Sequence, residues 1–191
     1  MGTQEWFHVA GMCWLVFLLY WLVSASKLKA VKRREPIHER LFYMAPMIVA
    51  YVLLFSDWMT FTELGRRFMR PNPRISALGV AVTAVGVGLA IWARWHLGEN
   101  WSAAVTLKKD HELISTGPYR GIRHPIYTGM MVAMAGTALA LGEVRGLIAL
   151  VITMVAFYFK ARKEERYMMS EFGEKYIAYK NRTGMLLPKL P

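Results

Sequence analysis

The chain has 191 residues, 55% of them hydrophobic, with a mean hydropathy of +0.26 and a formal net charge of +11. That balance excludes an ordinary soluble domain and predicts one small integral membrane domain over residues 1–191. It also argues against nucleic acid as a partner, because Lys and Arg cluster at the ends of apolar runs, where they set topology and meet anionic headgroups.

Five apolar segments follow in chain order: Trp6 to Val23, Leu41 to about Trp58, Ile75 to Trp95, Ile126 to Gly142, and Gly146 to Phe159. The expected fold is all-α, an integral membrane helical bundle of about five transmembrane helices with a C-terminal helical hairpin and a cytoplasmic tail. The first segment is not expected to be a cleaved signal peptide. Its leading charge is Glu5 and its first basic residue is Lys27, the reverse of a signal peptide's charge order. Cys13 is the one cysteine, so an intrachain disulfide and a cysteine-based zinc site are excluded, and no metal site is expected.

Lys27, Lys29, Lys32, Arg33, Arg34 and Arg40 mark the cytoplasmic side after the first segment, which places the N-terminus outside. Alternation then assigns 19 of the 24 Lys and Arg to the cytoplasm. Arg66, Arg67, Arg70 and Arg74 fall outside instead, and Phe61, Leu64 and Phe68 beside them suggest an interfacial helix. Pro46 would kink the second helix. Small residues at helical spacing, Ala84 with Gly88, Gly86 with Ala90, Gly129 with Ala133 and Gly136 with Ala140, predict close helix packing.

The fifth segment has only fourteen residues before Lys160, roughly 21 Å against a hydrocarbon core of about 30 Å. It is therefore expected to continue as a helix through Lys160, with long basic side chains reaching to the interface. The link Glu143-Val144-Arg145 forces segments four and five into a hairpin.

Chemistry concentrates in two places. The first is Gly117-Pro118-Tyr119-Arg120-Gly121-Ile122-Arg123-His124-Pro125-Ile126-Tyr127-Thr128-Gly129, which runs from a polar loop into helix four. Pro125 suits a first helical turn, and the N–H groups and dipole there attract negative charge. The stretch reads either as a ligand site or as a basic anchor. The second is Lys160 to Arg166, where Glu164 and Glu165 lie about 100° apart on a helix and Arg162 is spaced to pair with Glu165. Beyond it, Met168, Phe172, Tyr176 and Tyr179 form an apolar stripe, either an interfacial tail or a lid.

The order of motifs closely resembles the isoprenylcysteine carboxyl methyltransferase family. It runs Arg94-Trp95-His96-Leu97-Gly98, Trp101-Ser102, Glu112 to Arg120, Arg123-His124-Pro125-Ile126-Tyr127-Thr128-Gly129, Glu164-Glu165, Phe172-Gly173, Tyr176, Tyr179 and Leu187-Pro188. The resemblance covers residues 88–191, the expected catalytic and cofactor-binding half, whereas helices in 1–60 are less characteristic. Phospholipid amine and thiol methyltransferases share the Arg-His-Pro-x-Tyr-x-Gly and Glu-Glu features, and some membrane sterol reductases share a weaker version.

The resemblance implies a cytoplasmic S-adenosylmethionine pocket. Its contacts would be Leu113, Gly117, Tyr119, His124, Tyr127, Glu164 and Glu165, with Arg123 orienting an anionic acceptor and Glu165 or His124 as the base for an amine or thiol. A carboxylate acceptor, ionised above a pKa of about 3.5, needs no base. The implied partner is an amphiphile in the bilayer, an isoprenylcysteine-type carboxylate first, with phospholipid amine or small thiol methylation as the alternative. A membrane reductase or a lipid-binding scaffold is the more distant reading.

Overall fold

The structure, a computed structural model, describes residues 1–25, 31–102, 106–108 and 112–189, with backbone alone for 31–34, Met59 and 106–108. Lys27, Lys29 and Lys109, counted toward topology above, lie outside the described residues. Five long helices form a bundle: α1 (Thr3–Ser24), α2 (Ile37–Phe55), α3 (Pro73–Leu97), α4 (Pro125–Leu141) and α5 (Val144–Phe172). A sixth, α6 (Glu174–Arg182), follows a break at Gly173, whose φ of +49° lies where glycine is favoured. The helical membrane bundle is as expected. One addition to it, among the described residues, is a short antiparallel ladder of β1 (Val31–Arg34) and β2 (Thr106–Lys108), which ties the segment after α1 to the loop before α4.

Four helices, α1, α2, α3 and α5, are long and apolar enough to cross a membrane. The 17 residues of α4 span only about 25 Å. That shortfall is tolerable because most of α4 is buried against protein. At 29 residues α5 is about 43 Å long, so it outruns the hydrocarbon and carries the Glu164-Glu165 pair to the interface.

Glycine makes the α3–α4 contact possible. A Cβ added at Gly79 would lie 2.6 Å from the Gly136 carbonyl oxygen, and one at Gly129 would lie 2.6 Å from the Gly86 oxygen. The two backbones therefore touch, as small residues permit where lipid offers no hydrophobic drive to association. The Gly86–Ala90, Gly129–Ala133 and Gly136–Ala140 stripes sit in this contact. The Ala84–Gly88 pair does not: both residues are exposed, because the packed face of α3 runs instead through Ser76, Gly79, Thr83, Gly86 and Ala90.

A buried polar cluster fixes α1 to this pair. Trp14 Nε1 donates to Thr137 Oγ1 at 2.9 Å, and the Thr137 and Thr83 hydroxyls lie 3.1 Å apart. Interhelical bonds of this kind average about 0.6 kcal/mol in membranes, with model peptides at ~1–2. Trp14→Phe should therefore cost about 1 kcal/mol, read as a modest drop in melting temperature in detergent.

The end of the bundle away from Glu164 explains the misplaced arginines. In place of one α-helix, short 3-10 helices at Asp57–Phe61 and Glu63–Gly65 carry Phe61 and Leu64 and lead into a segment that docks on the α4–α5 turn. Phe68 N–H donates to Gly142 O at 3.1 Å, and Val144 N–H donates to Arg66 O at 2.9 Å. Arg67 lies 4.0 Å from Glu143, and the buried Arg145 binds Glu143 at 2.7 Å and the carbonyls of Leu53 and Ser56. Two of the five basic residues at this end are thus committed to one carboxylate and to helix-terminal carbonyls, which weakens their vote in a positive-inside count.

Candidate active site

The opposite end gathers the C-termini of α1, α3 and α5 with the N-termini of α2 and α4. Arg94 joins two of these, donating to Ser24 O at 2.6 Å and Gly98 O at 2.9 Å, with its guanidinium 4.4 Å from the Trp101 ring centre. The loop before α4 is shaped by Gly117, where φ is +56° and a Cβ would strike the His96 ring at 2.7 Å. His96 Nε2 sits 2.8 Å from Thr116 Oγ1, and the buried Tyr119 donates to Ala93 O at 3.3 Å. The Gly-Pro-Tyr-Arg turn is thereby pinned to the end of α3.

The tail folds back over this loop, in agreement with the lid reading. Tyr179 donates its hydroxyl to Tyr119 O at 2.7 Å. Arg123 N–H donates to Gly184 O at 2.8 Å, His124 N–H to Met185 O at 3.1 Å, and Thr128 Oγ1 to Leu186 O at 2.6 Å. These strap bonds use the donors just ahead of α4, so the anion attraction expected there from sequence loses part of its basis. Residues 183–187 carry no pattern that would have announced the strap.

Two carboxylates next to each other in sequence have separate tasks. Glu164 accepts from Tyr127 OH at 2.5 Å and lies 3.3 Å from His124 Nδ1. Glu165 accepts from Arg123 Nε at 2.6 Å and lies 3.2 Å from Lys180 Nζ. The expected Arg162–Glu165 pair is replaced by these: Arg162 is exposed, whereas Arg123 is already buried beside Glu165 and a buried carboxylate needs its partner most. Arg123 is further bound to the carbonyls of Lys180 and Thr183. Its guanidinium therefore ties α5 to the tail.

A cavity of about 840 Å³, its open mouth included, is lined by Leu113, Tyr119, Arg123, His124, Tyr127 and Glu164 among the expected contacts. Trp101, Ile114, Met168, Tyr176 and Tyr179 complete its apolar walls. Gly117 and Glu165 do not line it; the first shapes the loop behind the wall and the second holds Arg123. His124 Nε2 is buried with no hydrogen-bond partner among the described residues, the nearest carboxylate oxygen being 3.7 Å away. A polar ligand group could satisfy it.

A second, apolar cleft opens between α1 and α2, lined by Trp14, Phe17, Trp21, Met47, Tyr51 and Met130. It shares Trp101, Ile126 and Tyr127 with the first cavity. Lys160 also lines it. Sequence reasoning expected this side chain to reach out to the interface; it is buried instead, its Nζ 4.9 Å from the Tyr43 ring centre and 5.2 Å from that of Tyr127. The signal for that inward turn was in the spacing: Lys160 lies one helical turn before Glu164, on the same face.

Burial opposes protonation of His124, yet the Glu164 and Glu165 carboxylates outweigh it and raise its pKa above the ordinary 6.5. A raised folded-state pKa means that the imidazolium's contribution is full below the unfolded value and is lost as pH climbs through the folded one. Melting temperature should therefore fall as pH rises beyond neutral, more steeply in the parent than in His124→Gln, when both are followed by thermal unfolding in detergent.

Residues 75–175 match the family model described as phospholipid methyltransferase. The protein-S-isoprenylcysteine O-methyltransferase of Saccharomyces cerevisiae is 33% identical over 116 residues, 59% of this chain and 48% of the relative. The human protein of the same name is 27% identical over 98% of this chain and 67% of the relative. Among solved structures, the eukaryotic intramembrane Ras methyltransferase ICMT, isoprenylcysteine carboxyl methyltransferase, aligns with a TM-score of 0.56 and 26% identity, over 76% of this chain and 52% of that one. The chain spans about half the length of most of these relatives. With the matched segment covering more than half of its residues, the chain belongs to the phospholipid methyltransferase family, and the relatives it resembles there are isoprenylcysteine carboxyl methyltransferases.

Proposed function

We propose that the chain is a membrane methyltransferase that uses S-adenosylmethionine to methylate the head of an amphiphile, an isoprenylcysteine-type carboxylate above others. The observation that carries this reading is the junction of the two cavities at Trp101, Ile126 and Tyr127. A lidded chamber that carries Arg123, His124 and Glu164 among apolar walls adjoins an apolar cleft between α1 and α2. A tail in the cleft would bring its head to the chamber wall, with each buried CH₂ contributing about 0.8 kcal/mol.

The residues present suit the donor. Glu164 would face its positive groups, His124 Nε2 would meet a polar one, and Leu113, Ile114 and Trp101 would wall a flat base. When bound, S-adenosylmethionine supplies a methyl group activated by a sulfonium. What the chain itself must do is position and dry. Tyr176, Tyr179 and Met168 close the chamber from the tail side, and holding reactants oriented is worth up to about 7–11 kcal/mol of barrier.

A carboxylate head arrives ionised and needs a counter-charge, not a base. Lys160 fills that role in this reading, because it lines the apolar cleft beside Tyr127, where the head of a seated amphiphile would arrive, whereas Arg123 lines the other cavity and ties α5 to the tail. An amine head gains no counter-charge from that ammonium, which ranks phospholipid amines second. In this reading the N-terminus lies outside and the site faces the cytoplasm, since the basic tail and the Glu164 end of the bundle coincide. A titration of the purified protein in detergent should show saturable binding of S-adenosylmethionine and none of reduced nicotinamide cofactor; the reverse result would favour a reductase.

A further inference from the structure

Lys160 has a setting that its own helix does not provide. One tyrosine over its ammonium, Tyr127, comes from α4; the other, Tyr43, comes from α2, outside the matched segment 75–175. Tyr43 is buried and donates its hydroxyl to Glu35, itself buried just ahead of α2. Glu35 also binds Lys163 Nζ at 2.5 Å, and Glu39 binds the same ammonium at 2.5 Å. Lys163 sits one turn after Lys160 on α5, so a single carboxylate fixes both the tyrosine ring over Lys160 and the helix face that carries Lys160.

The chemistry of this arrangement is directional. A ring face attracts an ammonium through its quadrupole, most strongly where water is excluded. A phenol that donates its proton toward a carboxylate becomes richer in electrons, so Glu35 strengthens the attraction that Tyr43 offers. Tyr127 has the same device, its hydroxyl donating to Glu164. A lysine has four rotatable bonds and otherwise reaches for the interface. Held between two electron-rich faces, its amine group stays in the cleft.

We propose that Tyr43 and Glu35 are positioning residues that aim Lys160 at the carboxylate of the acceptor, so that the N-terminal half of the chain sets head-group specificity. The proposal rests on the reading of Lys160 as the acceptor's counter-charge. It assigns Tyr43 no contact with the methyl donor.

The test uses the full chain in lipid nanodiscs with two probes, a prenylated cysteine bearing a free carboxylate and its methyl ester. Equilibrium binding of acid and ester is measured for the parent, Tyr43→Phe, Tyr43→Leu, Glu35→Gln and Lys160→Met, alongside S-adenosylmethionine affinity and acceptor KM and kcat. The parent should favour the acid. Tyr43→Leu should erase most of that preference and raise the acceptor KM about tenfold, with donor affinity unchanged. Tyr43→Phe and Glu35→Gln should fall between. Phe at 43 keeps the ring face, so it supplies the conservative comparison if Leu unfolds the protein.

An unchanged acid-to-ester preference in folded Tyr43→Phe and Glu35→Gln would overturn the proposal. So would parallel losses of donor and acceptor binding, which a merely structural role would produce. If Lys160→Met itself keeps the preference for acid, the reading of Lys160 has failed. If Lys160→Met loses the preference while the Tyr43 and Glu35 variants keep it, only the positioning role falls.

Discussion

Replacing Lys160 with Met is expected to cut methylation of a carboxylate acceptor by about 30- to 700-fold, with S-adenosylmethionine affinity held within about twofold. The range follows from roughly 2–4 kcal/mol for removing one partner of a buried charge pair, at 1.4 kcal/mol per tenfold. Met keeps most of the aliphatic stem, so the packing against Tyr43 and Tyr127 survives and the loss reports the charge. Arg123→Ala should behave differently. Its guanidinium holds Glu165 and the carbonyls of Lys180 and Thr183, so its removal should loosen the tail and weaken donor binding for every acceptor alike. Steady-state kinetics with a carboxylate and an amine acceptor, beside donor binding, separates the two. A carboxylate-selective loss in Arg123→Ala with none in Lys160→Met would return the head-group role to Arg123.

Gly86→Leu is expected to prevent accumulation of folded protein. A Cβ there would already meet the Gly129 oxygen at 2.5 Å and the Ala133 nitrogen, and both are backbone that cannot step aside. Overpacking costs about 1–3 kcal/mol even where side chains can move, and α3 and α4 would have to separate along their length. Gly88→Leu, two residues on, supplies the control. It faces open space, and there Leu exceeds Gly in helix propensity by several tenths of a kcal/mol. Size-exclusion profiles of the two variants in detergent should show aggregate for Gly86→Leu and a parent-like peak for Gly88→Leu. Equal behaviour of the two would mean that α3 and α4 do not meet along this face.

The helices were legible because hydrophobic runs of this length are rare outside membranes, and α5 was rightly carried through Lys160 by its shortfall in length. The face of each helix was harder to read. With apolar residues all round α3, periodicity does not say which small residues face protein and which face lipid, and Ala84 with Gly88 fell on the wrong side. Long-range pairing was invisible for a different reason. Arg162 is three residues from Glu165, yet Arg123, 42 positions away, takes that carboxylate because the fold buries them together. The motif residues Tyr119, His124, Tyr127 and Glu164 do converge on one cavity. The role of α2 in framing Lys160 carries no local sequence signal, since Glu35, Tyr43 and Lys163 meet only in three dimensions.

The most direct measurement is transfer of label from methyl-labelled S-adenosylmethionine by the purified protein in nanodiscs, supplied with a prenylated cysteine or with a phospholipid amine. A methyl ester is cleaved by mild base and an N-methyl group is not, so the base lability of the product identifies the accepting atom. The expected result is base-labile label on the prenylated cysteine, rising with tail length and lost in Lys160→Met. Base-stable label on the phospholipid amine, or no transfer to either acceptor while the donor binds, would contradict the account.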